Sequence, residues 1–191
     1  MANKGFSAAA ITVAALLLLV CLHIAEAEAK AKLGREKAKL GREKISHLHF
    51  YFHDLVAGKN VTAVPVASAP TTKFSPTGFG TVVVMDDWLT ERPEATSKML
   101  GRAQGIYVSS SQENFHLLMA STFVFESGKY NGSTLAMVGK NAALEEVREM
   151  PIVGGSRLFR LARGYALART HSFDINTGNA VVEYNVTVLH Y

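Results

Sequence analysis

The 191-residue chain holds one cysteine, one tryptophan and five prolines. Cys21 falls inside an apolar run near the N-terminus, so the remainder has no thiol for a disulfide or a zinc–cysteine site. Phosphate-binding loops and dinucleotide fingerprints are missing as well, which removes the usual nucleotide-dependent chemistries. Ser109-Ser110-Ser111 has no nucleophile-elbow context. The longest apolar run, Ile11 to Leu22, is twelve residues broken only by Thr12. A membrane span needs roughly 20 apolar residues, so none is expected. Helix-period patterns are nearly absent beyond residue 44.

The N-terminus has the layout of a secretory signal. Lys4 supplies a positive n-region, the apolar run follows, and Ala25, Ala27 and Ala29 offer small-x-small cleavage sites. Residues 1–29 are therefore expected to direct export. Residues 30–44 repeat a seven-residue unit, KAKLGRE, and carry a net charge of +5. Residues 45–191 hold twelve basic and twelve acidic residues. The basic isoelectric point thus belongs to a short leader, and a neutral exported body argues against nucleic acid as a partner. The leader is read as a solvated linker, or as a weak contact to acidic wall polysaccharide. Asn60, Asn131 and Asn185 each begin an N-x-Ser/Thr sequon and are expected glycosylation sites.

What the chain has in abundance is β-patterning. Strands are expected near 46–56, 61–67, 78–87, 103–110, 114–127, 133–139, 147–153, 157–170 and 180–190, separated by turn residues. The stretch 142–149 is ambiguous and fits a helical turn. Consecutive strands joined by short turns give an antiparallel meander, which hides its edges best by closing into a barrel; a sandwich is the alternative. An all-β, eight-stranded antiparallel barrel over residues 45–191 is the expected fold, and such a barrel can hold one small ligand.

Alternation picks out the candidate residues. Leu48, Phe50, Phe52 and Asp54 share one face of the first strand, so an aspartate stands in an apolar row. A bare carboxylate there costs several kcal/mol and must be paired, hydrogen-bonded or protonated. His47, His49 and His53 share the opposite face with Ile45, Tyr51 and Leu55, and are expected to decorate an outer wall rather than hold a metal. In 157–170 Arg163 alternates with Phe159, Leu161, Tyr165 and Leu167, which offers an interior cation for Asp54. Parity leaves the converse open, with the small face of Gly164, Ala166 and Ala168 inside. Tyr107 and Tyr184 fit either a phenol-binding cavity or ordinary amphipathic core. Of Asp86 and Asp87, at most one points inward. No metal site or cofactor is expected.

Several long motifs share one further property. His49–Asp54, Gly101–Tyr107, Asn131–Thr134, Arg148–Gly155, Phe159–Ala166 and the final His190-Tyr191 resemble the plant dirigent proteins, from about residue 45 to the end. The resemblance implies an eight-stranded barrel like that of allene oxide cyclase, a homotrimer, and secretion to the apoplast. It also implies stereoselective coupling of phenoxy radicals from monolignols such as coniferyl alcohol, the radicals coming from a separate laccase or peroxidase. The protein would supply no redox chemistry of its own. The polar cavity residues map onto Asp54 and Arg163 as acid/base or clamp, with Tyr107, Phe52 and Tyr184 lining the substrate. Two alternatives stand beside this: a quinone-methide dehydratase or cyclase of the isoflavonoid branch, and a non-catalytic wall or defence protein. Ser156-Arg157-Leu158 departs from the Thr-Gly that commonly follows Gly154-Gly155 in relatives.

Overall fold

A computed structural model describes residues 19–30 and 41–191 of the chain. Residues 19–30 are helical and exposed, Cys21 included, and among the described residues no helix is long and apolar enough to cross a membrane. Most of the expected signal sequence and most of the basic repeat lie outside the described residues.

From Glu43 onward the chain is a separate compact unit. Its strands are β1 (Lys44–Asp54), β2 (Ala63–Ala67), β3 (Val82–Thr90), β4 (Met99–Ser109), β5 (His116–Phe125), β6 (Thr134–Ala142), β7 (Arg148–Ser156), β8 (Arg163–Phe173) and β9 (Ala180–His190). Every pairing is antiparallel, in the order β1-β9-β8-β7-β6-β5-β4-β3-β2, and β1 also pairs with β3. That last pairing closes eight strands into a barrel and leaves β2 outside the ring on the edge of β3. The expected barrel is present, and the sandwich is not.

Closure is narrow. Only Tyr51↔Thr90, Phe52↔Leu89 and His53↔Trp88 join β1 to β3. The other half of β3 pairs with β2, through Ala63↔Met85, Val64↔Val84, Pro65↔Val83 and Ala67↔Val82. β3 therefore changes partner between Met85 and Trp88, at Asp86 and Asp87.

Alternation sends one row of each strand inward, as the period of two requires. Phe50, Phe123 and Tyr184 form an aromatic belt, with Phe50 stacked on Tyr184 at 5.7 Å and set edge-on to Phe123 at 5.0 Å. Phe52 lies 5.8 Å from Tyr184. Each such ring contributes about 2–3 kcal/mol by leaving water. The N-terminal end of β1 is plugged by Phe159, which packs against Tyr130, Phe125 and His190 at 5.0, 5.9 and 5.1 Å.

The plug explains two departures from the expected pattern. Residues 157–162 do not continue a strand: Arg157–Phe159 is a short 3-10 turn, and Arg157 and Leu161 have φ of 54° and 59°. The chain folds across the barrel end there, burying Phe159, and β8 starts only at Arg163. Its inward row is then Ala166 and Ala168, both fully buried, flanked by Gly164. Small residues are needed because Ala168 faces Tyr184 across the ladder, and a Cβ on Gly164 would lie 2.0 Å from the Thr187 carbonyl oxygen. The stretch 142–149 forms a turn between β6 and β7 rather than a helix.

The outer wall carries a ladder of apolar side chains. Val64, Val84, Ile106, Ala120 and Val138 are consecutive cross-strand neighbours on β2 to β6, and all but Ala120 are large exposed hydrophobics.

Candidate active site opposite the plug

At the end opposite the plug, polar groups converge on the interior. Asp54 closes the inward row of β1 and is partly buried. Tyr107, on β4, donates its hydroxyl to Asp54 Oδ1 at 3.4 Å. Asp87, on β3, belongs to the inward row Val83, Met85, Asp87, Leu89 and is fully buried. Extending the β1–β3 register one step beyond His53↔Trp88 sets Asp54 opposite Asp87, and the ladder stops just short of that pair. Like charges facing each other across strands are destabilising. Burial pushes the Asp54 carboxyl up to about 6, with the Tyr107 hydrogen bond opposing. Burial, followed by the charge of Asp54, pushes Asp87 up to about 8, against a hydrogen bond from Thr62. Near neutral pH one carboxyl is ionised and the other protonated, the arrangement that gives a site both a base and an acid. Burial and the two aspartates raise the Tyr107 phenol, so it stays protonated and donates.

A buried cation stands in the row of the aromatic belt. Arg148 opens the inward row of β7, ahead of Met150 and Ile152, and is buried. Its Nε donates to Asn141 Oδ1 at 3.2 Å, and one terminal nitrogen donates to Thr170 Oγ1 at 3.0 Å and to the Glu145 carbonyl. Arg148, Ala168, Tyr184 and Phe50 are successive cross-strand neighbours, so the guanidinium stands in the same row as the aromatic belt. Burial depresses its pKa and Tyr184 opposes that shift.

Of the residues expected at the site, Asp54, Phe52, Tyr107 and Tyr184 all face the interior, and Phe52 and Tyr184 sit in the aromatic belt. Arg163 does not join them. It lies on the outer face and pairs with Glu43 at 2.7 Å, well exposed to solvent, because the plug resets the parity of β8. The interior arginine is Arg148. Its signal, a charge at the head of the alternating row Arg148, Met150, Ile152, is present in the sequence. Asp87 had the same kind of signal, which continues to Leu89 instead of ending at the aspartates.

The three histidines separate. His47 and His49 are exposed on the outer wall, bonded to Thr187 and Glu183. His53 departs from the expectation: it is buried on the outward side of β1, its Nε2 2.7 Å from Thr90 Oγ1, at the β1–β3 closure. Thr90 Oγ1 donates onward to the Arg92 carbonyl, so His53 Nε2 is the donor to it; burial lowers the His53 pKa. Asn60, Asn131 and Asn185 are all exposed.

A family model described as dirigent-like protein matches residues 45–189. The chain belongs to the dirigent family. Dirigent protein 23 of Arabidopsis thaliana is 56% identical over 147 residues, 77% of this chain and 79% of its own length. Pterocarpan synthase 1 of Glycyrrhiza echinata is 51% identical over 149 residues, 78% of this chain and 79% of its own. A solved pterocarpan synthase dirigent protein is similar at 50% identity with a TM-score of 0.73, covering 79% of this chain and 87% of that one. The dirigent barrel is thus the frame in which Asp54, Asp87 and Tyr107 meet.

Proposed function

We propose that this dirigent barrel, at the end opposite the Phe159 plug, binds a phenolic alcohol and promotes loss of water through a quinone methide. The observation that carries this reading is the Asp54–Asp87 pair, whose raised carboxyls differ enough to hold one proton between them near neutral pH. Protonated Asp87 gives its proton to the departing hydroxyl while ionised Asp54 takes the phenolic proton. A quinone methide and water result. A second hydroxyl of the substrate then adds to the methide carbon, its proton passing to Asp87, and Asp54 returns its proton to the phenolic oxygen. Both carboxyls end as they began, and the net change is loss of one water. The aromatic belt of Phe50, Phe52, Phe123 and Tyr184 supplies flat walls that present one face of the methide, which makes the addition stereoselective. The pterocarpan synthase relatives favour this branch.

The second reading is stereoselective coupling of phenoxy radicals such as those of coniferyl alcohol, supplied by a laccase or peroxidase. The relatives called dirigent proteins favour it, and the quinone methides left by coupling would close by the same proton movements. Around either chemistry we place an exported protein, glycosylated at some of Asn60, Asn131 and Asn185 and assembled as a homotrimer through the apolar ladder from Val64 to Val138. A panel of hydroxylated phenols incubated with and without laccase, with products resolved on a chiral column, separates the two. Enantioenriched cyclised product without oxidase, lost in Asp54→Asn and Asp87→Asn, supports dehydration; product only with oxidase overturns it in favour of coupling.

A further inference from the structure

Asp87 is reached from outside the barrel ring by a residue that none of the site motifs includes. Thr62 sits just before β2, half-buried, where β3 exchanges β2 for β1. Its backbone is fixed on both sides: its N–H donates to the Leu55 carbonyl at 2.8 Å, and its carbonyl accepts from the Asp86 N–H at 2.9 Å. Its hydroxyl accepts from the Leu55 N–H at 3.2 Å and donates to Asp87 Oδ1. Among the described residues nothing hydrogen-bonds the other oxygen, Asp87 Oδ2, although it is buried.

We propose that Thr62 is a positioning residue that clamps Asp87 Oδ1 and thereby presents Oδ2 as the oxygen that carries and delivers the proton. This rests on the reading of Asp87 as the acid of the site. A hydroxyl has one proton, and Thr62 has two acceptors for it: Asp87 Oδ1 and the His53 carbonyl oxygen at 3.4 Å. When Asp87 is ionised, the Thr62 proton stabilises the carboxylate. A proton arriving at Oδ2 leaves that bond intact, whereas a proton at Oδ1 would displace it toward the longer His53 contact. The clamp therefore favours Oδ2 as the protonated oxygen. Because Leu55 and His53 flank Asp54, the same hydroxyl ties the backbone around one carboxyl to the side chain of the other.

The charged and titratable groups around Asp87 are Asp54 on β1, Asp86 beside it on β3 and Arg102 on β4, while Tyr107 and Tyr184 face both inward aspartates. Arg102 is engaged with the Asp86 carboxylate at 2.9 Å on the outer face. Thr62 is the neutral donor among them, so removing it shifts Asp87 in one direction only, upward.

Thr62 is also the third residue of the Asn60-Val61-Thr62 sequon. The test must separate its two duties. Carbon-13 NMR titration of the aspartate carboxyls, with Asp87→Asn to identify the Asp87 resonance, reads the clamp without requiring any reaction. Thr62→Val is expected to raise the Asp87 midpoint by about one pH unit, the scale of a lost hydrogen bond to a charged group. Thr62→Ser, which keeps the hydroxyl, should return it to the native value. Asn60→Gln, which removes only the sequon, should leave it unmoved. If product formation is measurable, the alkaline limb of its pH profile follows the same order. An unshifted midpoint in Thr62→Val overturns the clamp, and so does a shift that Thr62→Ser fails to reverse. Thr62→Cys, close to Thr in size and a weaker donor, gives an intermediate shift should the valine variant not fold; no shift there also overturns the clamp. Full activity in Asp87→Asn instead overturns the reading of Asp87 as the acid, whatever the titration of the Thr62 variants shows.

Discussion

Asp87→Asn should make this protein more stable at alkaline pH while removing the proposed acid. The folded state raises the Asp87 carboxyl from an ordinary 3.8 to about 8. In between, the folded chain binds a proton that the unfolded chain has released, so the stability this group contributes is fully present below about pH 4 and is lost as pH rises toward 8. At about 1.4 kcal/mol for each pH unit of displacement, the loss approaches about 6 kcal/mol at its upper bound. Asparagine keeps an acceptor for the Thr62 hydroxyl but buries an unpaired amide N–H, costing about 1–3 kcal/mol at every pH. The net gain is therefore about 3–5 kcal/mol at pH 8, and at pH 4 the variant is the weaker by about 1–3 kcal/mol. For a domain of this size about 3 kcal/mol corresponds to roughly 6–12 °C in Tm. Thermal unfolding followed by circular dichroism at pH 4 and pH 8, native against variant, reads the difference directly. A Tm change of equal size and sign at both pH values would refute the reasoning, because it would mean Asp87 titrates alike in the folded and unfolded chains.

Four further outcomes follow from particular contacts. Arg163→Ala should leave product formation unchanged and cost under about 1 kcal/mol, since its exposed pair with Glu43 is screened; Arg148→Ala should cost several times more in denaturant melts by removing a buried side chain and orphaning buried Asn141. Phe159→Ala should destabilise the barrel by about 3–5 kcal/mol in urea titrations, because its ring makes the contacts with Phe125, Tyr130 and His190. Ile106→Asp, placed mid-ladder on the outer wall, should abolish the proposed trimer in light scattering without altering the circular dichroism spectrum.

The inward rows of β1 and β9 follow from alternation, because a period of two on a half-buried strand allows only one apolar side. That is why Asp54 and Tyr184 are placed inside by their neighbours in the chain alone; the dirigent family is read separately, from the motifs between His49 and Tyr191. Arg163 failed for a local reason. Two residues of positive φ fold 157–162 into a plug, and parity carried through a break in the strand comes out reversed. His53 failed for a different one: its outward position is correct, but the closing contact with β3 buries it.

Strand content, the apolar side of β1 and the carboxylate standing on that side are all written in the order of residues. Which carboxylate Asp54 meets is settled only by the closed barrel. Asp54 and Asp87 come together because β3 divides its length between β2 and β1, and Thr62 reaches Asp87 at that change of partner. Side-chain alternation is a property of each strand alone, whereas the meeting of two rows depends on register and closure, set by contacts between residues far apart in the chain.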